Sequence, residues 1–168
     1  MFRPRPAPSP VIRLRPIAPA EAVAACRWRY PPPFDYYDLR DDDVEVLLDP
    51  EWGYHVATDQ TGRPLGIACY GEDAQVVGGS YDQPALDIGM GLAPALIGRG
   101  LGDAFVRAVV AHGVDRYAPP LLRLSVATFN TRARAVFLGC GFARTGSFLG
   151  TSRHGSREFW IMTRPAAP

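Results

Sequence analysis

The stretch ALDIGMGLAPALIGRGLGDAFVRAVVA (85–111) constrains the fold more than any other. Its start, ALDIGMGLAP (85–94), is short, apolar and proline-bounded, which reads as a strand. Its end reads as a helix, because Phe105, Val106, Val109 and Val110 recur on one helical face. IGRGLG (97–102) joins the two. The first amides of a helix are unpaired donors carrying about half a positive charge between them, so this turn points to an anion, most simply a phosphate. Gly98, Gly100 and Gly102 let an anion reach the backbone without meeting a Cβ, and Arg99 adds a full charge. Within the strand, Gly89 and Gly91 mark a bulge or a close approach of ligand or backbone.

The rest of the chain reads as a mixed string. VIRLRPI (11–17) alternates like a half-exposed strand, APAEAVAACRWRY (18–30) is a helix opened by Pro19, and PPPFDYYDL (31–39) is a proline-stiffened aromatic loop. DDDVEVLLDP (41–50) is a short helix with an acidic start. GYHVATD (53–59) and PLGIACYG (64–71) form a hairpin, and 72–84 is a surface excursion. LLRLSVAT (121–128) is a buried-type strand, and NTRARAVFLGC (130–140) is a helix that Asn130 can cap and Gly141 can end. FARTGSFLG (142–150) and REFWIMTR (157–164) close the chain as a hairpin around TSRHGS. The expectation is one mixed α/β domain over 11–164, with a proline-rich flexible arm at 1–10 and a short tail at 165–168.

Two familiar phosphate loops fail on spacing. A dinucleotide fingerprint needs Gly-x-Gly-x-x-Gly after an N-terminal strand, and the spacing here is Gly-x-Gly-x-Gly. A Walker loop needs a lysine, and all 18 basic residues are arginine. The same fact strikes off lysine bases and Schiff bases. A net charge of +1 gives no bulk attraction to nucleic acid or an anionic membrane. Cys26, Cys69 and Cys140 are odd in number and widely spaced, which suits buried thiols, not a zinc cluster or a disulfide framework. The three histidines show no metal spacing. No apolar run is long enough to span a membrane and the start has no signal core, so a cytoplasmic enzyme or binding domain is expected.

With these residues in view, the chain resembles the GNAT superfamily of acyl-CoA-dependent N-acetyltransferases. IGRGLG meets the family pattern Gln/Arg-x-x-Gly-x-Gly/Ala at Gly100 and Gly102, with Ile97 in the first slot. LDIGMGLAP looks like the preceding strand, with Asp87 seven positions before Pro94. NTRARAVFLGCGF (130–142) meets Asn-x-x-Ala-x-x-x-Tyr-x-x-x-Gly-Phe at Asn130, Ala133, Gly141 and Phe142, with Phe137 in the tyrosine slot. The resemblance implies an α+β domain whose central mixed, mostly antiparallel sheet carries a bulged strand and is flanked by helices.

It also implies roles. The amides of Gly98, Arg99, Gly100, Leu101, Gly102 and Asp103 would hold the CoA pyrophosphate. Met90 and Leu92 would pair with the pantetheine arm, Asn130 would touch that arm or cap its helix, and Phe137 would line the thioester site. Asp87 is the candidate general base, with Glu72 and Asp73 as competing acids. Tyr30, Phe34 and Tyr37 would form an aromatic wall for the acceptor, next to Trp28 and Tyr36. Acetyl-CoA is the implied co-substrate, with no metal, and a small-molecule or peptide amine the implied acceptor. A homodimer is compatible with the resemblance. Phe137 lacks an acidic proton, so water or another phenol such as Tyr70 would protonate the departing thiolate. Phe137 and Ile97 also leave open an acyl-CoA-binding domain with little turnover.

Overall fold

A computed structural model describes residues 9–167. The 1–10 arm therefore lies, except for Ser9 and Pro10, outside the described residues. Seven strands form one sheet: β1 (Arg13–Pro16), β2 (His55–Thr58), β3 (Pro64–Tyr70), β4 (Leu86–Leu92), β5 (Leu121–Ala127), β6 (Ala143–Ser152) and β7 (Gly155–Pro165). Their order across the sheet is β1-β2-β3-β4-β5-β7-β6. Every neighbouring pair is antiparallel except β4 and β5. That parallel pair needs a crossover, and α3 (Gly102–Tyr117) supplies it. The other helices are α1 (Pro19–Cys26), α2 (Val44–Leu48) and α4 (Thr131–Gly139).

The apolar stripe read from the sequence is the one that packs. Phe105, Val106, Val109 and Val110 of α3 share a core with Ile88, Leu122, Leu124, Val126 and Met162 of the sheet, and with Phe137 and Phe142. The opposite face is covered by α1 and α2, through Ala22, Ala25, Cys26 and Leu47 packed near Ile67. Residues two apart on a strand share a face. Asp87, Gly89 and Gly91 thus lie on the α1/α2 face, opposite the Ile88 and Met90 face that meets α3.

Three expectations change in detail. β4 was expected to bulge, but its ladder with β3 runs without a break from Gly66↔Leu92 to Tyr70↔Ile88. The register shifts fall instead between Ala57 and Thr58 and between Arg144 and Gly146. The glycines of β4 serve close approach: a Cβ on Gly89 would meet the Cys69 sulfur at 2.8 Å and Ala74 at 3.4 Å. The TSRHGS loop is mostly strand, since β6 and β7 pair down to Ser152↔Gly155 around a two-residue turn with Gly155 at φ 97°. The tail also begins later than 165, because Pro165 still pairs with Leu121.

His55 on β2 and His112 on α3 stack edge-on, with ring centroids 4.7 Å apart, against Tyr70. His55 Nδ1 lies 2.8 Å from the Gly53 carbonyl, whereas His112 Nε2 has no partner. Burial holds both imidazoles below the ordinary histidine value. The Arg116 charge adds to this at both rings, against the Gly53 carbonyl at His55 and the Asp115 charge at His112. The unfolded chain therefore binds protons here that the folded chain refuses. Stability is complete above about pH 6.5, the free histidine value, and falls as pH drops below it. Thermal unfolding followed from pH 8 to pH 5 is expected to show that fall, with a shallower decline in His112→Leu. A flat profile in the unaltered protein would contradict it.

Candidate active site

β4 and β5 pair only at Leu86↔Leu122 and Asp87↔Arg123. Beyond that step they part, and a V-shaped notch opens toward their C-terminal ends. The residues at its apex explain why pairing is so firmly held there. Arg123 Nε and Nη2 donate to the two carboxylate oxygens of Asp87 at 2.6 and 2.8 Å, and both residues are 4% exposed. Gln75 Nε2 adds a third bond to Asp87 at 2.8 Å, and Arg123 Nη1 reaches the Gln83 carbonyl at 2.8 Å. Asp87 holds the Arg123 guanidinium above its ordinary value. A planar fork matched to a carboxylate is the geometry in which a buried pair repays its desolvation.

This bears directly on Asp87 as a base. Both of its oxygens are engaged by a fixed cation, so a proton taken from an amine would break the pair. The geometry gives Asp87 a scaffolding role at the apex. An exposed carboxylate stands nearby on the same face: Asp73, hydrogen-bonded by the Tyr54 hydroxyl and adjacent to the Ala74 that covers Gly89.

Parity along β4 decides which backbone groups face the notch. Asp87 O accepts from Gly71 and Ala93 N donates to Leu65, so odd-numbered residues bond to β3. The groups of Met90 and Leu92 point the other way, into the opening. The Leu92 carbonyl already accepts from the Tyr30 hydroxyl at 2.6 Å.

At the wide end of the notch lies IGRGLG. Gly98 and Gly100 adopt φ 77° and 76°, in the left-handed region that favours glycine. They turn the chain into α3, whose N-cap Leu101 offers no side-chain cap. Arg99 is exposed, and Arg132 of α4 reaches within 3.9 Å of a Cβ position on Gly98. Asp103 turns away, paired with Arg107 at 2.9 Å and 3.4 Å from the Cys140 sulfur. Its carboxyl is held below the usual range by Arg107 first and Cys140 next. The negative side chain in this first turn is thus countered by a neighbouring cation.

Asn130 caps α4, accepting from Ala133 N at 3.2 Å, and sits beside Tyr37. Phe137 is 8% exposed and packs edge-on to Phe142 in the α3-side core. Tyr70, the suggested substitute phenol, donates to the Val109 carbonyl at 2.8 Å and is buried on that same side. Tyr30 lies on the other face, its hydroxyl on the Leu92 carbonyl. Phe34 and Tyr37 each lie 5.8 Å from the ring of Phe129, and Trp28 lines a groove of about 320 Å³ with Ala24, Ile67 and Ala93. Tyr36 is buried beneath, against Phe159.

Arg123, Gln75, Phe129 and Arg132 were missed in the sequence. One of them left a signal: an arginine inside the buried-type run LLRLSVAT must find an anionic partner. Among the described residues no group of three or more His, Cys, Asp or Glu could hold a metal ion, and no helix is long and apolar enough to cross a membrane.

The chain is similar to several solved structures. A spermidine N-acetyltransferase SpeG chimera from Vibrio cholerae and hSSAT matches at 16% identity and TM-score 0.70, over 93% of this chain and 96% of that one. A GNAT-family acetyltransferase from Bacillus anthracis matches at 11% identity and TM-score 0.73, over 94% and 96%. A putative phosphinothricin N-acetyltransferase matches at 15% identity and TM-score 0.67, over 94% and 100%. At these identities the likeness is one of fold. No curated protein matches the sequence. The family model for the acetyltransferase (GNAT) family matches residues 20–142, from α1 through the end of the α4 motif. With that match over most of its length, and with its sheet opened beside a glycine-led helix, the chain belongs to the GNAT acetyltransferase family and is an acyltransferase.

Proposed function

We propose that this enzyme moves an acetyl group from acetyl-CoA to a primary amine, by direct attack while both are bound. The observation that carries the proposal is the notch: two parallel strands that part after one ion-paired step, with an uncapped helix N-terminus at the wide end. An extended arm laid along β4 meets the backbone groups of Met90 and Leu92 that turn away from β3, as an added strand would, with the Leu92 carbonyl already held by Tyr30. Its pyrophosphate would meet the amides from Gly98 to Asp103, flanked by Arg99 and Arg132. Holding two reactants in register is worth effective molarities of about 10⁵ M or more, so positioning supplies most of the catalysis.

The acceptor would enter over the α1/α2 face, between Tyr30, Phe34 and Tyr37. An ammonium has no lone pair, so it must lose a proton before attack. Asp73 is the carboxylate placed to take it, directly or through water, with Tyr54 fixing its orientation. Amine acceptors suit the exposed Asp73 carboxylate beside β4. The printed names of two fold neighbours, a spermidine and a phosphinothricin N-acetyltransferase, supply the first compounds to try.

Thiol release from acetyl-CoA over a panel of spermidine, phosphinothricin, free amino acids and a peptide N-terminus tests this. At least one amine is expected to accelerate release, and Asp73→Asn to lower that turnover about 100-fold, the low end for general base catalysis, with acetyl-CoA affinity unchanged. Tight CoA binding without any amine-dependent release would favour a binding domain, the reading that buried Phe137 most supports.

A further inference from the structure

We propose that Ser125, held by Tyr81, is the group that protonates the departing thiolate. This rests on the acetyl-transfer reading above and supplies what Phe137 cannot.

The apex of the notch is where the thioester end of the arm would lie. From Leu92, whose carbonyl Tyr30 holds, back to Ile88, β4 turns four steps of edge away from β3, about 13 Å at 3.3 Å per residue. With the pyrophosphate at the wide end, the far end of an extended arm falls near the last paired step, Asp87↔Arg123. Ser125 is the next residue of β5 on that face, two beyond Arg123. It is half-buried, and no strand pairs with it on the β4 side.

Its hydroxyl is supported. Tyr81 Oη lies 3.0 Å from Ser125 Oγ and accepts from the Val76 amide at 2.8 Å. Its one hydrogen is shared between Ser125 and the Val76 carbonyl, at 3.2 Å. The Tyr81 ring also lies over the Arg123 guanidinium, 4.9 Å from its centroid. The 72–84 stretch is a mostly exposed excursion that is tied down at the apex. Gln75, Tyr81 and Gln83 bind it onto Asp87, Ser125 and Arg123 at the apex.

The other phenols are placed elsewhere. Tyr30, Tyr36 and Tyr70 donate to the carbonyls of Leu92, Gly155 and Val109, and Tyr54 donates to Asp73. Tyr117 lies at the C-terminal end of α3 against Tyr70. Tyr37 sits beside Ala127 and Asn130, at the outer end of β5. Ser125 is the hydroxyl at the inner end.

The step balances. The amine, its ammonium proton already taken by Asp73, bonds through nitrogen to the thioester carbonyl carbon, and the second proton on that nitrogen leaves to solvent. The C–S bond breaks, its electron pair goes to sulfur, and Ser125 Oγ–H passes a proton to that sulfur. Tyr81 returns a proton to Ser125 and is itself refilled from solvent, giving amide and free CoA thiol.

The test uses acetyl-CoA with hydroxylamine as a small acceptor, background subtracted, beside the amine panel. Ser125→Ala is expected to lower kcat about 100-fold, with KM for acetyl-CoA within about twofold and the alkaline fall in kcat removed. Tyr81→Phe is expected to remove the same limb with a smaller loss, and the double variant to be no slower than Ser125→Ala, because residues acting as one unit are not additive. Undiminished kcat in Ser125→Ala, multiplicative losses in the double variant, or an alkaline limb that vanishes only in Tyr37→Phe would overturn the proposal while leaving acetyl transfer standing. No transfer to any acceptor by the unaltered enzyme would overturn both.

Discussion

Gly100→Val is expected to weaken acetyl-CoA binding by about 100-fold or more while the protein stays folded. Gly100 sits at φ 76°, and an L-residue forced into that region pays about 1–2 kcal/mol, more if β-branched. The loop would relax to negative φ and swing its amides off the anion. Hydrogen bonds to a charged group are worth about 1.5–3 kcal/mol each, so losing two costs about 3–6 kcal/mol, or two to four decades of affinity. A Cβ at Gly100 meets nothing within 4 Å, so the substitution crowds no neighbour and the core is untouched. Calorimetric titration with acetyl-CoA, beside a thermal melt, separates the two effects. Unaltered affinity would refute the cradle.

The second large effect is on stability. Asp87→Ala leaves Arg123 as an unpaired charge at 4% exposure. Removing one partner of a buried pair costs about 3–5 kcal/mol. For a chain of this size that lowers Tm by roughly 10 °C. Adding Arg123→Leu should recover part of the loss, because the stranded cation is then gone. If Asp87 were also the base, Asp87→Asn would abolish turnover even at temperatures where the variant is still fully folded. That outcome would return the catalytic proton to Asp87. The structure makes the opposite prediction: loss of stability and splay geometry together, as the only paired step of β4 and β5 next to the notch lets go.

The contrast between Asp87 and Gly100 shows what the chain discloses in one dimension. A glycine pattern acts through the backbone it belongs to, so IGRGLG could be read as an anion turn before any tertiary contact was known, and Gly98 and Gly100 take the left-handed conformations such a turn requires. A carboxylate acts through its surroundings. Asp87 matched the expected position of an acid on the strand, but its partner lies 36 residues away on β5. Ser125 and Tyr81, 44 residues apart, meet for the same reason. Phe137 lies between these cases: its side chain is legible as unable to donate a proton, yet the hydroxyl that takes its place is visible only once β5 and the 72–84 stretch are laid side by side.

What the sequence determined alone was local and periodic. The apolar stripe of α3, the alternation in the strands, the cap at Asn130 and the glycine turn depend on neighbours within a few residues, and they were enough to reach the fold class and the family resemblance. Tertiary structure decided which groups are free to react. Whether a carboxylate is a base or half of a buried ion pair, whether a strand opens by bulging or by parting from its neighbour, and which hydroxyl faces the notch all depend on residues brought together across the sheet. Desolvation and hydrogen bonding act over a few ångströms of space, whatever the separation along the chain.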